Sequence, residues 1–202
     1  MLDELHPMKV ARAFATDQMF DALRLSPYLR TLAERTPDLA PEILAVVDIT
    51  ARTRLALVHG DVSPKNILLS RQDGHPVLLD AECAWFGDPA FDAAFCMNHM
   101  LLKAVHLPSL RAGLIEAARS FGAIWLTGLP EGARDDAQVR LARLLPCLML
   151  ARIDGKSPVE YLHENHRTLV RKVARPLILD TPASIAELLA RFESSLFKQD
   201  PS

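Results

Sequence analysis

Cysteine is scarce in this chain. Cys83, Cys96 and Cys147 are odd in number and widely spread, with no Cys-x-x-Cys pair. Neither a disulfide framework nor a zinc ribbon is suggested, and a reducing, cytoplasmic compartment is the simple expectation. Basic excess is also missing: 23 Lys and Arg stand against 25 Asp and Glu. A partner bound through bulk phosphate neutralisation, such as nucleic acid, is therefore not expected. The longest apolar tract, LLPCLMLA, lies between Arg143 and Arg152. It falls short of the roughly 18 residues a membrane span needs. The opening MLDELHPMKVARAF has acids and a proline where a signal peptide needs an unbroken apolar run. No internal repeat or low-complexity segment is found. What remains is a chain of 202 residues, half of them hydrophobic. That is the composition of one folded domain able to bury its own core.

Hydrophobic spacing divides the chain into three stretches. Residues 1–54 read as helical. Phe14, Met19, Phe20, Leu23, Tyr28, Leu29 and Leu32 recur at steps of three and four, Pro27 and Pro37 punctuate the run, and Thr36-Pro37 reads as a helix start. Residues 55–92 change character: a strand is expected at 55–58, a polar loop at 59–65, a hairpin at 66–80 turning at Asp73-Gly74, and a loop from Ala81 to Asp92. Residues 93–202 return to helix. Leu110, Leu114, Ala117, Phe121 and Trp125 form one stripe, Pro146 marks a kink, and capping boxes at Ser157–Glu160 and Ser184–Glu187 open the last two helices. The expected class is mainly α (α+β), with the polar residues on one small β-hairpin.

The chemistry concentrates in VHGDVSPKNILLSRQDGHPVLLDAECAWFGDPAFD. Asn66 and Asp80 are equidistant in sequence from Asp73. A regular hairpin would set them face to face at its open end. An amide oxygen and a carboxylate there suit Mg²⁺, which takes few protein ligands and completes its shell with phosphate and water. Asp61, five residues before Asn66, can aim a carboxylate into the same space and accept a proton from a substrate hydroxyl.

His59-Gly60-Asp61, Asn66, Asp80-Ala81-Glu82 and Gly87-Asp88-Pro89 with Asp92 follow in the order of the kinase pattern. With Gly between His and Asp, the stretch resembles the aminoglycoside phosphotransferase and choline kinase-like small-molecule kinases. The resemblance implies the C-terminal helical lobe of the protein-kinase-like fold. It implies that Asp61 is catalytic and that Asn66 and Asp80 hold Mg²⁺ against ATP. Ser63 and Lys65 would lie at the phosphates, with Lys65 out of register for the usual phosphate-binding lysine. His59 would brace the loop and Asp92 would tie its backbone. Glu82 reads equally as a further metal or water ligand and as a solvated acid.

The N-terminal β lobe of that fold carries a glycine-rich strand pair and a phosphate-binding Lys. Here no glycine precedes Gly60, and Lys9 is the one lysine before it. The N-terminal lobe is therefore expected to be absent and 1–202 to form a single C-terminal lobe. Such a chain would be a truncated product, a gene with a misplaced start, or half of a split enzyme. Its expected partners are a small-molecule hydroxyl acceptor and either a second copy or a separate N-terminal lobe. An inactive pseudokinase-like interaction module is the alternative. A metal-dependent hydrolase using Asp61, Asp80 and Glu82 is a third reading. His163, Glu164 and His166 have the spacing of a helical metal site but lack a third ligand, and read as a solvated face. Arg152, Asp154 and Lys156 form a charged loop that could touch an acceptor, with a surface salt bridge as the default.

Overall fold

The computed structural model describes residues 7–197. Helix α1 (Pro7–Ala13) precedes a long helical rod. The rod starts as α2 (Asp17–Phe20), widens into a π-helical stretch (Asp21–Arg30) and ends as α3 (Thr31–Arg35). Helix α4 (Ala40–Arg52) completes the lead-in. The π spacing explains which apolar residues are buried. Phe20, Leu25, Tyr28, Leu29 and Leu32 enter the core, whereas Met19 and Leu23 stay exposed. A π turn bonds i to i+5, so the buried face moves off the three-and-four stripe read from the sequence. Thr36-Pro37 does not open a helix. Thr36 Oγ1 donates to the Leu32 carbonyl at 2.7 Å, closing α3, and α4 begins at Ala40 with Pro41 in its first turn.

Two small antiparallel sheets follow. Strand β1 (Ala56–Val58) pairs with β4 (Trp85–Gly87), Val58 opposite Trp85. Residues 85–87 are thus a strand rather than the loop expected from their sequence. Strands β2 (Ile67–Leu69) and β3 (Pro76–Leu78) form the hairpin, closed by a loop in which Gly74 has φ +71°.

The remaining chain is helical: α5 (Ala90–His106), α6 (Arg111–Thr127), α7 (Arg134–Asp154), α8 (Glu164–Leu179) and α9 (Ile185–Phe197). Helix α5 packs between α6 and α7, and α8 covers α7. On α6 the buried stripe is Arg111, Ile115, Ala118 and Gly122, one position off the expected one. Ala118 and Gly122 allow close helix approach, and a side chain at 122 would meet Ile185 at 3.1 Å. The larger Leu114, Phe121 and Trp125 seal the rim. Ser184 caps its helix, its Oγ accepting from the Glu187 N–H at 3.1 Å, while the Glu187 carboxylate reaches one residue further back and accepts from the Ala183 N–H at 2.8 Å. The Ser157 box does not open its helix. Residues 157–163 are irregular, because Arg152 donates to the Ser157 carbonyl and hydroxyl and holds them off the helical path.

An aromatic chain joins the lead-in to the sheet and α5. Phe20 stacks on Trp85 at 4.1 Å and meets Phe91 edge-on at 4.9 Å. Tyr28 meets Phe95 at 5.9 Å. Trp85 Nε1 donates to Asp17 at 2.8 Å, satisfying the buried indole N–H. The polar loop after β1 is suspended between these layers.

Candidate active site

The loop His59–Ser63 is built by contacts from far along the chain. Val58 anchors its start in the core through the β1–β4 ladder. Gly60 turns it with φ +81°, and a Cβ there would lie 2.7 Å from the Cys83 carbonyl oxygen. Only glycine meets both demands. Asp92, in the first turn of α5, clamps the loop from below. Its Oδ2 accepts from the His59 N–H at 2.7 Å and its Oδ1 from the Gly60 N–H at 2.8 Å. Burial pushes the Asp92 carboxyl up from its ordinary value, and these two bonds oppose the rise. His59 Nδ1 accepts from the Asp61 N–H at 3.2 Å, and its buried Nε2 has no protein partner.

Asp61 is 9% exposed, yet two cations face its carboxylate and two N–H donors its carbonyl. Arg24 Nη2 lies 3.3 Å from Asp61 Oδ2, and Arg24 Nε also donates to the Gly60 carbonyl. Lys65 Nζ lies 3.9 Å from the same carboxylate oxygen, on a largely exposed side chain. The Asp61 carbonyl accepts from Asn66 Nδ2 at 3.0 Å and from the Ser63 N–H at 2.8 Å. Ser63 Oγ is buried without a protein partner. Asn66 is 6% exposed. Its amide nitrogen is committed to the Asp61 carbonyl, which leaves Oδ1 as its side-chain acceptor.

The hairpin register differs from the symmetrical one expected. Ile67 pairs with Leu78, and the Leu79 N–H donates to the Asn66 carbonyl at 2.8 Å. Asn66 therefore opposes Leu79, not Asp80. The loop from Ser70 to His75 is not centred on Asp73, which explains the one-residue offset. Asp80 has φ 65° and ψ 56°, the one left-handed non-glycine residue among those described. Strand alternation ends there, so the direction of its side chain is set by this kink and not by the pleat. Its carboxylate is exposed and makes no ion pair among the described residues. Glu82 is also exposed.

Asp88 caps the start of α5, accepting from the Ala90 N–H at 3.0 Å, and pairs with Arg140 Nε at 2.9 Å. Sequence reasoning missed Arg24, Arg140 and His99. Arg24 lies on the lead-in and Arg140 on α7, far from the motifs, and nothing local marks either one. A buried motif carboxylate does demand a cation, and that was the only signal for them. His99 lies two turns beyond Asp92 on the same side of α5. Burial first, then Arg152, pushes it down to about 4.

Among the described residues no three His, Cys, Asp or Glu side chains gather into a metal cage. Asn66 and Asp80 each carry an oxygen of the kind a hard cation takes, and the hairpin register sets them one residue out of opposition. A concavity of about 250 Å³ lies elsewhere, against Asp17, Arg54 and Trp85, and contains no motif residue.

The comparisons with known proteins bear on the whole motif set. The family model described as the phosphotransferase enzyme family (APH) matches residues 1–133, which include all three motifs. The chain belongs to this family. No curated protein matches it. Its mostly helical body with two short antiparallel sheets is compatible with a kinase-like helical lobe. No described helix is long and apolar enough to cross a membrane.

Proposed function

We propose that this phosphotransferase-family chain transfers the γ-phosphoryl group of Mg²⁺-ATP to a hydroxyl of a small molecule. The observation that carries the reading is the Asp61 loop. One carboxylate from α5 fixes its backbone, and Asn66 is oriented by the carbonyl of Asp61 itself. Asp61 would accept the proton of the attacking hydroxyl as the oxygen–phosphorus bond forms and ADP leaves. Asn66 and Asp80 would hold Mg²⁺, which when bound neutralises phosphate charge. Ser63 and Lys65 would lie beside the phosphates. Positioning of this kind accounts for most of the catalysis in phosphoryl transfer.

Calorimetric titration with Mg²⁺-ATP tests the reading, with Asp80→Ala as control. A specific heat in the parent chain, lost in the variant, is expected. Phosphoryl transfer to a panel of alcohols would then follow. No heat from either protein would overturn nucleotide binding.

The alternative, an inactive module that binds a partner, draws on the hairpin surface. Leu68, Leu69, Val77, Leu78 and Leu79 are all at least 40% exposed. An apolar ribbon of this kind favours cover by another lobe or a second copy. Self-association measured by sedimentation, together with a silent Mg²⁺-ATP titration, would favour this reading.

A further inference from the structure

One side of α5 continues the site away from the phosphates. Asp92, Phe95, His99, Lys103 and His106 recur at steps of three and four, so they share one face of the helix. Phe95 links this face to the catalytic loop and the lead-in. The Arg24 guanidinium lies 5.8 Å above its ring, His99 meets it at 5.3 Å, and Tyr28 meets it at 5.9 Å. Tyr28 in turn carries Arg152, whose Nη1 donates to the phenol oxygen at 3.4 Å. Further along, Lys103 Nζ lies 4.4 Å above Tyr161, and His106 lies 5.1 Å from the same ring and 5.5 Å from His166.

Two properties of this row stand out. Its acids lie at one end: Asp92 is turned onto the His59–Gly60 amides and Asp61 is paired with Arg24 and Lys65, whereas Lys103 and Arg152 further along make no ion pair with an acid among the described residues. The neighbouring acids Asp154 and Glu164 are both spent on Arg171, at 2.8 and 2.7 Å. The row also holds polar atoms with nothing to bond. Arg152 Nε, Tyr161 Oη, His106 Nδ1 and His166 Nδ1 are all buried without a protein partner. Buried polar atoms are ordinarily paired. Four such atoms stand beside two cations that no described acid neutralises, Lys103 and Arg152, the latter held by Ser157 and Tyr28 through Nη1 while its Nε stays unbonded, and together they suit an acceptor of hydrogen bonds that carries negative charge.

We infer that the acceptor alcohol is anionic, with its hydroxyl at Asp61 and its carboxylate or phosphate held along α5 by Arg152 and Lys103. His99, neutral in this setting, would hydrogen-bond the middle of the molecule. Polycationic or quaternary-ammonium alcohols would be repelled. The inference rests on the phosphotransferase reading for the place of the hydroxyl, but not for the anion site.

The test is calorimetric titration of the full chain, without nucleotide. Its probes are sn-glycerol 3-phosphate and D-glycerate, against glycerol and choline. Both anions should bind, and glycerol and choline should give no heat. Lys103→Gln and Arg152→Gln should each weaken the anions at least about tenfold, the scale of one charge-assisted hydrogen bond. Lys103 is exposed, so its variant guards against a folding defect at Arg152. Three results would overturn the inference: no heat from the anions, tighter binding of choline, or anion heat that survives both substitutions. The parent Mg²⁺-ATP titration separates the two readings. Anion binding sensitive to Lys103 with a silent ATP titration would sink the phosphotransferase reading alone. ATP binding without anion binding would sink this one alone.

Discussion

Arg24 Nη2 lies 3.3 Å from Asp61 Oδ2, with both side chains only about a tenth exposed, at 11% and 12%. The lead-in thereby holds the carboxylate on which the site turns. Arg24→Met keeps most of the apolar stem and removes the cation. The expected loss is about 2 kcal/mol of unfolding free energy, from a charged hydrogen bond and an uncompensated acid. Urea unfolding measures it. Arg24→Lys should recover only part, since ammonium cannot contact Asp61 and the Gly60 carbonyl as a fork.

Asp80 in its left-handed conformation separates folding from ligand binding. Asparagine tolerates that conformation, glycine prefers it, and alanine costs about 1 kcal/mol there. The expected order of melting temperature is Gly at or above Asp, Asn close to Asp, and Ala lowest. All three substitutions should abolish the Mg²⁺-ATP heat. An alanine variant that melts with the parent would refute the backbone argument.

His99 makes acid stability a local property. It is pushed down to about 4 from the usual 6.5, first by burial and then by Arg152. Between those values the unfolded chain takes up a proton that the folded chain refuses. Stability tied to His99 is therefore complete above about 6.5 and lost as pH falls toward 4. Urea midpoints across this window should fall less steeply in His99→Gln. Parallel curves would assign the acid limb to other groups.

Arg140 is the counter-charge of Asp88, a side chain only 1% exposed. Arg140→Met leaves that carboxylate buried and alone, at a cost of about 3–5 kcal/mol. Adding Asp88→Asn should restore part of the loss, because the amide carries no charge to strand. A double-mutant cycle in urea reads the coupling directly. Additive losses would mean that the pair contributes nothing.

The legible part of this molecule was the local part. Helical class, the β1 and hairpin positions and the Ser184 cap follow from spacing and turn residues within a few positions. The three motifs lie within 34 residues of one another, from His59 to Asp92, and the chain brings His59, Gly60, Asp61, Asn66 and Asp92 into contact. What escaped was set by geometry that sequence spacing does not encode. The π turn moved the buried face of the rod, and the off-centre loop moved the hairpin register by one. Residues 85–87 became a strand only because β1 lies beside them. Arg24 and Arg140 entered from elements with no motif of their own.

The clamp on the His59–Gly60 amides has a consequence for the order of assembly. Its carboxylate lies 33 and 32 positions downstream, at the start of a helix that must first find its place between two others. The loop cannot set until that helix has docked. A chain in which that helix has not docked would own every motif residue and still lack the clamp that shapes their loop.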